Sequence, residues 1–183
     1  MAIAVLAVVV LALTLRARRA PGRTPADGPV DASAAAGRLL GLGPGMFVRY
    51  RDERLVVERT LEFSCDRERW TEHRLSDDRA GRSLWLEVLD RDPVVLTVFE
   101  RLPVGEDPPG VQQLERDGIT YRLAEEGKVS YRSHERAGPG KHGELNYVEY
   151  ASGRVRLAYE CFDDGPWEVS LGHVIEADDV AQA

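Results

Sequence analysis

Residues 69–89 read RWTEHRLSDDRAGRSLWLEVL, and their pattern indicates the kind of fold. Apolar or aromatic side chains alternate with polar ones in RWTEHRL and again in SLWLEVL, and the residues between them are polar, charged or small. Alternation with a period of two sends successive side chains to opposite faces of an extended strand. The stretch therefore predicts a β-hairpin that buries one of its faces.

Similar short runs lie on both sides of this hairpin. Before the DPPG break at 107–110, the predicted strands are MFVRY (46–50), RLVVERTLEF (54–63), RWTEHRL (69–75), SLWLEVL (83–89) and VVLTVFERL (94–102). After the break they are VQQLERD (111–117), ITYRLAE (119–125), KVSYRSHER (128–136), LNYVEYA (145–151), RVRLAYECF (154–162) and WEVSLGHV (167–174). Only the short tail after Ile175 looks helical, so the pattern predicts an all-β fold.

The two series of strands resemble each other. RWTEHRL, a turn and LWLEV in the first series parallel NYVEYAS, a turn and LAYEC in the second. We therefore expect two related antiparallel β-meanders, packed either as a sandwich or as a pair of small barrels. Tight turns are expected at four dipeptides: Asp117-Gly118, Glu126-Gly127, Ser152-Gly153 and Asp164-Gly165.

The chain begins with MAIAVLAVVVLALTLRARR, in which residues 2–15 carry no charge. As a helix, this run would be about 21 Å long, shorter than a hydrocarbon core of about 30 Å, but arginines that snorkel can make up the difference. A secretory leader has basic residues before its apolar core, whereas here they follow it. Residues 1–19 are therefore expected to be a single-pass transmembrane anchor that contacts the membrane through residues 2–15. A cleaved leader that exports the domain is the alternative.

The basic flank also predicts the orientation of the chain. Positive residues favour the cytoplasmic side of a membrane, so the β domain is expected in the cytoplasm, tethered to the cell membrane. Residues 20–43 are rich in Pro, Ala and Gly, and are expected to form a linker with a short helix through Leu40. The β-rich domain is assigned to residues 44–176 and a C-terminal tail to 177–183.

The net charge of the chain is −7, and the basic residues near its start lie beside the apolar run. The remaining, acidic domain repels phosphate backbones. A nucleic-acid partner is therefore not expected.

Several segments of the domain resemble a known bacterial family: LGPGMFVRYRDERLVVERTLEF, RWTEHRL with SLWLEV, GITYRLAEEGKVSY, and YVEYAS, LAYECF and WEVSLG. They are similar to the family catalogued as domain of unknown function 4178, over about residues 44–176. The residues that carry the resemblance are Trp70, Glu72, Trp85, Tyr121, Gly127, Tyr150, Glu160, Trp167 and Gly172. The family has no established catalytic residues, so the resemblance implies a fold unit and no activity. The anchor and the linker lie outside it.

Four glutamates stand beside aromatic residues on predicted strands: Glu72, Glu87, Glu149 and Glu160. In WTE and WLE the carboxylate shares a face with the tryptophan. Each glutamate is expected to pair with a neighbouring arginine across the strands, such as Arg74, Arg82, Arg154 or Arg156. The alternative is that the carboxylates cluster, and then bind a divalent cation or a cationic small molecule, or share a proton.

The prominent aromatic residues are expected to fill the core, although they can also line a ligand groove or a protein-binding face: Trp70, Trp85, Trp167, Tyr147 and Tyr159. The candidate ligand or partner surface combines three of them with the four glutamates. It comprises Trp70, Glu72, Trp85, Glu87, Tyr147, Glu149 and Glu160.

No motif predicts catalytic residues, a cofactor or a metal site. HERAG (134–138) begins like a zinc-protease helix but has Gly138 where the second histidine is needed. RAGPGKHG (136–143) lacks the first glycine of a phosphate loop and is expected to be a hairpin loop. Cys65 and Cys161 are expected to be free thiols in a cytoplasmic domain, and able to pair if the domain is exported.

These features predict a membrane-anchored, non-enzymatic accessory or binding module. It would bind a protein of a membrane complex or a small ligand. The alternatives are an enzyme or a metal- or small-ligand-binding domain that uses the repeated carboxylates, and an exported β domain.

Overall fold

The computed structural model describes residues 32–65, 68–77, 83–103, 107–138 and 140–183. One short helix, α1 (Ala32–Leu39), precedes a single antiparallel sheet of 11 strands, which confirms the all-β prediction. The strands are β1 (Phe47–Tyr50), β2 (Glu53–Cys65), β3 (Glu68–Ser76), β4 (Ser83–Leu89), β5 (Val95–Arg101), β6 (Gln113–Arg116), β7 (Ile119–Glu135), β8 (Lys141–Ser152), β9 (Val155–Phe162), β10 (Trp167–Ile175) and β11 (Val180–Gln182).

The sheet consists of two meanders, β1–β5 and β6–β10, with β11 added beside β1, and the two meanders pair with each other at two places. β5 pairs with β10 between Leu96 and Arg101, and β2 pairs with β7 between Arg59 and Phe63. Because the meanders pair at both places, β2–β5 and β7–β10 form a closed ring of strands with an interior. The prediction that the meanders pack as a sandwich or as two small barrels is wrong, because hydrogen bonds join both meanders into one sheet.

Apolar side chains pack in three clusters, because the sheet is covered on parts of both faces. The outer face of the first meander packs against residues of α1, β1 and β11, among them Leu39, Val48 and Val180. The outer face of the second meander carries a cluster around Tyr121 and Tyr150. The third cluster fills part of the interior of the ring: Leu61, Phe63, Val129 and Leu145, with Cys65, Trp70, Trp85, Tyr131, Tyr147 and Phe162 packed against them.

β7 is one long strand where the sequence predicts two strands and a turn. Gly127, in the middle of the strand, lies opposite Tyr147 on β8. A Cβ atom on Gly127 would come within 3.0 Å of the Tyr147 hydroxyl. The glycine therefore makes room for the tyrosine ring and does not form a turn.

The other predicted turns are present between neighbouring strands. Asp117 and Gly118 both have positive φ, as does Gly153 between β8 and β9. Between β9 and β10, Asp163 and Asp164 have positive φ, and the Gly165 amide donates to the Phe162 carbonyl at 2.9 Å. Short polar residues and glycine tolerate this conformation, which lets the strands reverse tightly.

Both ends of the domain differ from their predicted organisation. α1 agrees with the short helix predicted through Leu40, but its segment is predicted as linker, whereas Leu39 and Leu42 are buried against the first meander. In the tail, a 3₁₀ turn (Ala177–Asp179) leads into β11, which pairs with β1. The C-terminal residues are thus a strand of the sheet and not a helix.

The predicted anchor at 1–19 and the adjoining linker up to residue 31 lie outside the described residues, and so does Asp31, which the sequence predicts as the N-terminal cap of the short helix. Within the part of the chain that is described, no helix has the length and apolar character needed to cross a membrane.

Candidate functional site

All seven candidate surface residues line one cavity inside the ring, of about 250 Å³. β3 contributes Trp70 and Glu72, β4 contributes Trp85 and Glu87, β8 contributes Tyr147 and Glu149, and β9 contributes Glu160. We call this space the acidic cavity. Its further lining residues are Leu89, Arg91, Val95, Thr97, Phe99, Glu125, Leu145, Val148, Arg156, Ala158, Tyr159 and Ser170.

Strand register explains why these side chains converge. Glu72 lies directly opposite Glu87 on the next strand, and Tyr147 lies directly opposite Glu160. Directly opposed residues point to the same face of a sheet. Closure of the ring then places the faces that carry these side chains, one from each meander, around a common interior.

Aromatic rings form the boundary between the acidic cavity and the interior apolar cluster. Trp70 stacks on Phe63 with ring centroids 4.8 Å apart, and its edge contacts Tyr147 at a centroid distance of 6.3 Å. The Trp70 indole also donates a hydrogen bond from Nε1 to Oε1 of Glu72, at 3.2 Å. Tyr147 donates from its hydroxyl to Oε1 of Glu125, at 2.7 Å. The aromatic residues therefore hold two of the carboxylates in position.

Glu72 is the most buried of the four predicted glutamates, with 9% of its surface exposed. Burial raises its pKa well above the usual value, and the negative charges of Glu160, Glu87 and Glu149 raise it further. Burial also raises the pKa of Glu87, which accepts a hydrogen bond from Thr97 on the adjacent strand. These two opposed carboxyls therefore favour the protonated form more than exposed glutamates do.

The other two glutamates titrate close to neutrality. Burial, followed by repulsion from Glu87, raises the pKa of Glu149 to about 7, although Arg156 opposes this shift. Burial and repulsion from Glu168 raise the pKa of Glu160 to about 7. Near pH 7 the cavity therefore exchanges protons readily, and its charge depends on what occupies it.

The expected pairing of each glutamate with an arginine is wrong for most of the set. Glu149 pairs with Arg156, whose Nε atom lies 3.3 Å from Oε1 of the glutamate. Arg154 instead pairs with Glu176, and Arg74 donates from Nε to Ser83 Oγ at 3.1 Å. Arg82 lies outside the described residues. The carboxylates therefore cluster, in agreement with the alternative interpretation.

The sequence did not single out four polar residues of the acidic cavity: Arg91, Thr97, Glu125 and Ser170. Glu125 belongs to a stretch of β7 with a register shift between Leu123 and Glu125, where the regular alternation is broken. Thr97 lies opposite Glu87, a relationship that only strand pairing reveals.

Other side chains that could carry chemistry, and Trp167, lie outside the acidic cavity. His73 is fully buried, and its ring nitrogens hydrogen-bond to Thr60 and Thr71 at 3.0 and 2.9 Å. Burial lowers the pKa of His73 to about 4, so it is neutral at pH 7. The segment between β7 and β8 is the expected hairpin loop, and Trp167 packs in the second outer cluster. No disulfide joins Cys65 and Cys161. In the described residues, no group of three or more His, Cys, Asp or Glu has an arrangement that could hold a metal ion.

The fold and the site define an all-β domain whose closed sheet encloses a carboxylate-lined cavity. Residues 43–177 match the family model of the domain of unknown function DUF4178, and the chain belongs to that family.

The chain is also similar to an uncharacterized protein of Mycobacterium bovis, with 28% identity over 188 residues that cover 96% of this chain and 89% of the relative. Uncharacterized proteins from two strains of Mycobacterium tuberculosis show the same identity and coverage. No solved structure matches the chain.

Proposed function

We propose that this domain is a non-enzymatic binding module that takes up a small organic ammonium ion in the acidic cavity. The observation that carries the proposal is the convergence of Glu72, Glu87, Glu149 and Glu160 on one enclosed space. Such convergence costs folding free energy through burial and repulsion. A cationic ligand offsets both costs.

The charge of the lining supports a cation. Five carboxylates line the cavity, those of Glu125 and the four glutamates named above, against the two guanidinium groups of Arg91 and Arg156. Without a ligand, protons reduce the repulsion between these carboxylates, as the raised pKa values indicate. An ammonium group can replace those protons and donate hydrogen bonds to several carboxylates together.

The aromatic walls and the small volume of the cavity limit the kind of ligand that it can hold. Trp70, Trp85, Phe99 and Tyr147 provide aromatic surface, whereas the Tyr159 ring packs in the second outer cluster; aromatic faces attract cations. The volume of about 250 Å³ lies just below the range of about 300–1,000 Å³ of typical small-molecule sites. An amine with a short alkyl chain fits these limits.

The test is a titration of the full chain with primary alkylammonium ions of increasing length, with carboxylates of equal length as controls. Calorimetry and tryptophan fluorescence report binding, because Trp70 and Trp85 line the site. We expect saturable binding of the ammonium series alone. Glu72→Gln should weaken it about tenfold or more, since hydrogen bonds to charged groups are strong.

Glu115→Gln is the matched control, because Glu115 is exposed on β6, away from the acidic cavity. Equal binding of ammonium ions and carboxylates, or equal losses in both variants, would contradict the proposal. Elemental analysis after dialysis tests the metal-binding alternative, which a stoichiometric ion would favour. Chemical conversion of the bound amine would favour the enzyme alternative.

We further propose that residues 1–19 anchor the domain to the cell membrane, with the domain on the cytoplasmic side and near a protein partner in a membrane complex. The apolar run and its basic flank support this arrangement. Membrane fractionation, protease protection and crosslinking of the full chain test it. Cleavage of the domain by protease added to intact cells would contradict the orientation.

A further inference from the structure

A pair of opposed arginines, partly open to solvent, lies on two neighbouring strands of the ring. Arg59 on β2 lies directly opposite Arg74 on β3, and both line a second cavity of about 470 Å³. Like charges directly opposite one another destabilise a sheet. A carboxyl group can relieve such repulsion by taking up a proton, but a guanidinium group keeps its charge at any pH that a protein tolerates. Arg59 is half-buried and Arg74 is exposed, so water screens part of this repulsion, and a nearby anion would relieve the rest.

The second cavity, which we call the basic cavity, contains two more cations, Arg101 and Lys141. Each of its three carboxylates already pairs with an arginine or accepts hydrogen bonds. Glu135 pairs with Arg59 at 2.7 Å, and Glu168 pairs with Arg101. Asp163 accepts hydrogen bonds from the Tyr131 hydroxyl at 2.8 Å and from the Glu144 amide at 2.9 Å.

Arg74 and Lys141 form no close ion pair among the described residues, although Lys141 attracts Glu135 and Asp163 at longer range. Arg74 uses Nε to reach Ser83, and this hydroxyl brings no negative charge. We propose that the basic cavity is a second binding site, and that it takes a small oxyanion. The ligand is an inorganic phosphate ion, or the carboxylate or phosphate group of a small molecule.

The guanidinium groups of the basic cavity have the right shape to bind an oxyanion. Guanidinium groups donate parallel hydrogen bonds that match the oxygens of carboxylates and phosphates. Trp85, which lines both cavities, lies directly opposite Arg74 on the next strand. The acidic and basic cavities are therefore adjacent, but their ligands have opposite charge. The oxyanion proposal stands even if no ammonium ion binds in the acidic cavity.

The experiment titrates the full chain with inorganic phosphate, acetate or chloride at constant ionic strength, and follows the arginine Nε–Hε signals by NMR. We expect saturable shifts of the Arg74 signal with phosphate or acetate but not with chloride. The stronger of the two ligands identifies the type of group the site prefers. Arg74→Gln should weaken that binding about tenfold or more, through loss of charge-assisted hydrogen bonds.

Arg54→Gln is the matched control. Arg54 is exposed like Arg74 and also lies directly opposite an arginine, Arg49, but neither Arg49 nor Arg54 lines either cavity. If Arg74→Gln fails to fold, Lys141→Gln and Arg74→Lys replace it, and each should weaken binding while the far-ultraviolet circular dichroism is retained. Shifts that do not saturate, or equal losses in Arg54→Gln and Arg74→Gln, would overturn the proposal.

Discussion

Glu72 lies directly opposite Glu87 on the neighbouring strand, and both carboxyl groups line the same cavity. Like charges in this position repel each other, and burial removes the water that would screen them. Burial raises the pKa of both groups, and repulsion from Glu87 is one of the charges that raise the pKa of Glu72 further. The pair makes the stability of the domain depend on pH.

The first prediction concerns that dependence. A carboxyl whose pKa is raised by folding binds its proton more tightly in the folded state. Its stabilising effect is fully present below the usual pKa of 4.5 and is lost as the pH rises through the raised value, which is about 7 for Glu149 and Glu160. The melting temperature of the ligand-free protein should therefore fall between pH 5 and pH 8. Differential scanning calorimetry at a series of pH values measures it.

Glu72→Gln should reduce this fall, because the amide does not titrate but still offers an oxygen to the Trp70 indole. The exposed Glu115→Gln should leave the pH profile unchanged. A melting temperature that is constant or rises over this range in the unsubstituted protein would show that the cluster does not hold protons.

The second prediction concerns ligand affinity. An ammonium ion binds ionised carboxylates, and Glu149 and Glu160 ionise near pH 7. Affinity for alkylammonium probes should therefore rise between pH 6 and pH 8, with release of protons on binding. Calorimetry in two buffers of different ionisation enthalpy measures how many protons are released for each ammonium ion bound. An affinity independent of pH would argue that these carboxylates do not contact the cation.

The third prediction tests the role of Gly127. A methyl group there would lie 3.0–3.2 Å from ring atoms of Tyr147. Gly127→Ala should therefore displace the tyrosine, disturb its hydrogen bond to Glu125 and destabilise the fold by about 1–3 kcal/mol. Gly37→Ala in α1 is the matched control, since nothing lies within 4 Å of the added carbon. That change should stabilise the helix by about 0.5–1 kcal/mol. Urea denaturation compares the two, and a loss of equal size in both would refute the steric account.

The fourth prediction separates apolar from ionic contributions at the β2–β7 pairing. Phe63 is 2% exposed and stacks on Trp70, so Phe63→Ala should cost about 3–5 kcal/mol. Arg136 pairs with Glu58 at the same pairing, but its side chain is 48% exposed, and Arg136→Ala should cost at most about 1 kcal/mol. Chemical denaturation measures both. A larger loss for Arg136→Ala would mean that ion pairs hold the ring closed.

The fifth prediction concerns the cysteines. Cys65 lies on β2 and Cys161 on β9, which are not neighbours in the sheet. Alkylation of freshly isolated protein under denaturing, non-reducing conditions should label both thiols. In the folded protein Cys161 should react more slowly, because it is 6% exposed and donates to the Gly165 carbonyl at 3.2 Å. Mass spectrometry that finds an intact Cys65–Cys161 disulfide would contradict the structure.

Much of the local structure follows from the sequence, because alternation and turn residues act over a few neighbours. The hairpin around residues 69–89 and the turns at Asp117-Gly118 and Ser152-Gly153 are of this kind. The aromatic-x-Glu pattern also predicts that Trp70 and Glu72 share a face. The turn predicted at Gly127 is wrong because a glycine in a strand can serve a turn or a close contact, and only the position of Tyr147 distinguishes them.

Strand content, the two meanders and the face on which each side chain lies are set by the amino-acid sequence, since these depend on contacts close along the chain. Only the folded structure reveals that β2 pairs with β7 and β5 with β10. This closure brings Glu72 of one meander into the same cavity as Glu149 of the other, and places Arg59 of β2 opposite Glu135 of β7. Register and curvature arise from pairings between distant segments, and a period of two within one strand carries no information about them.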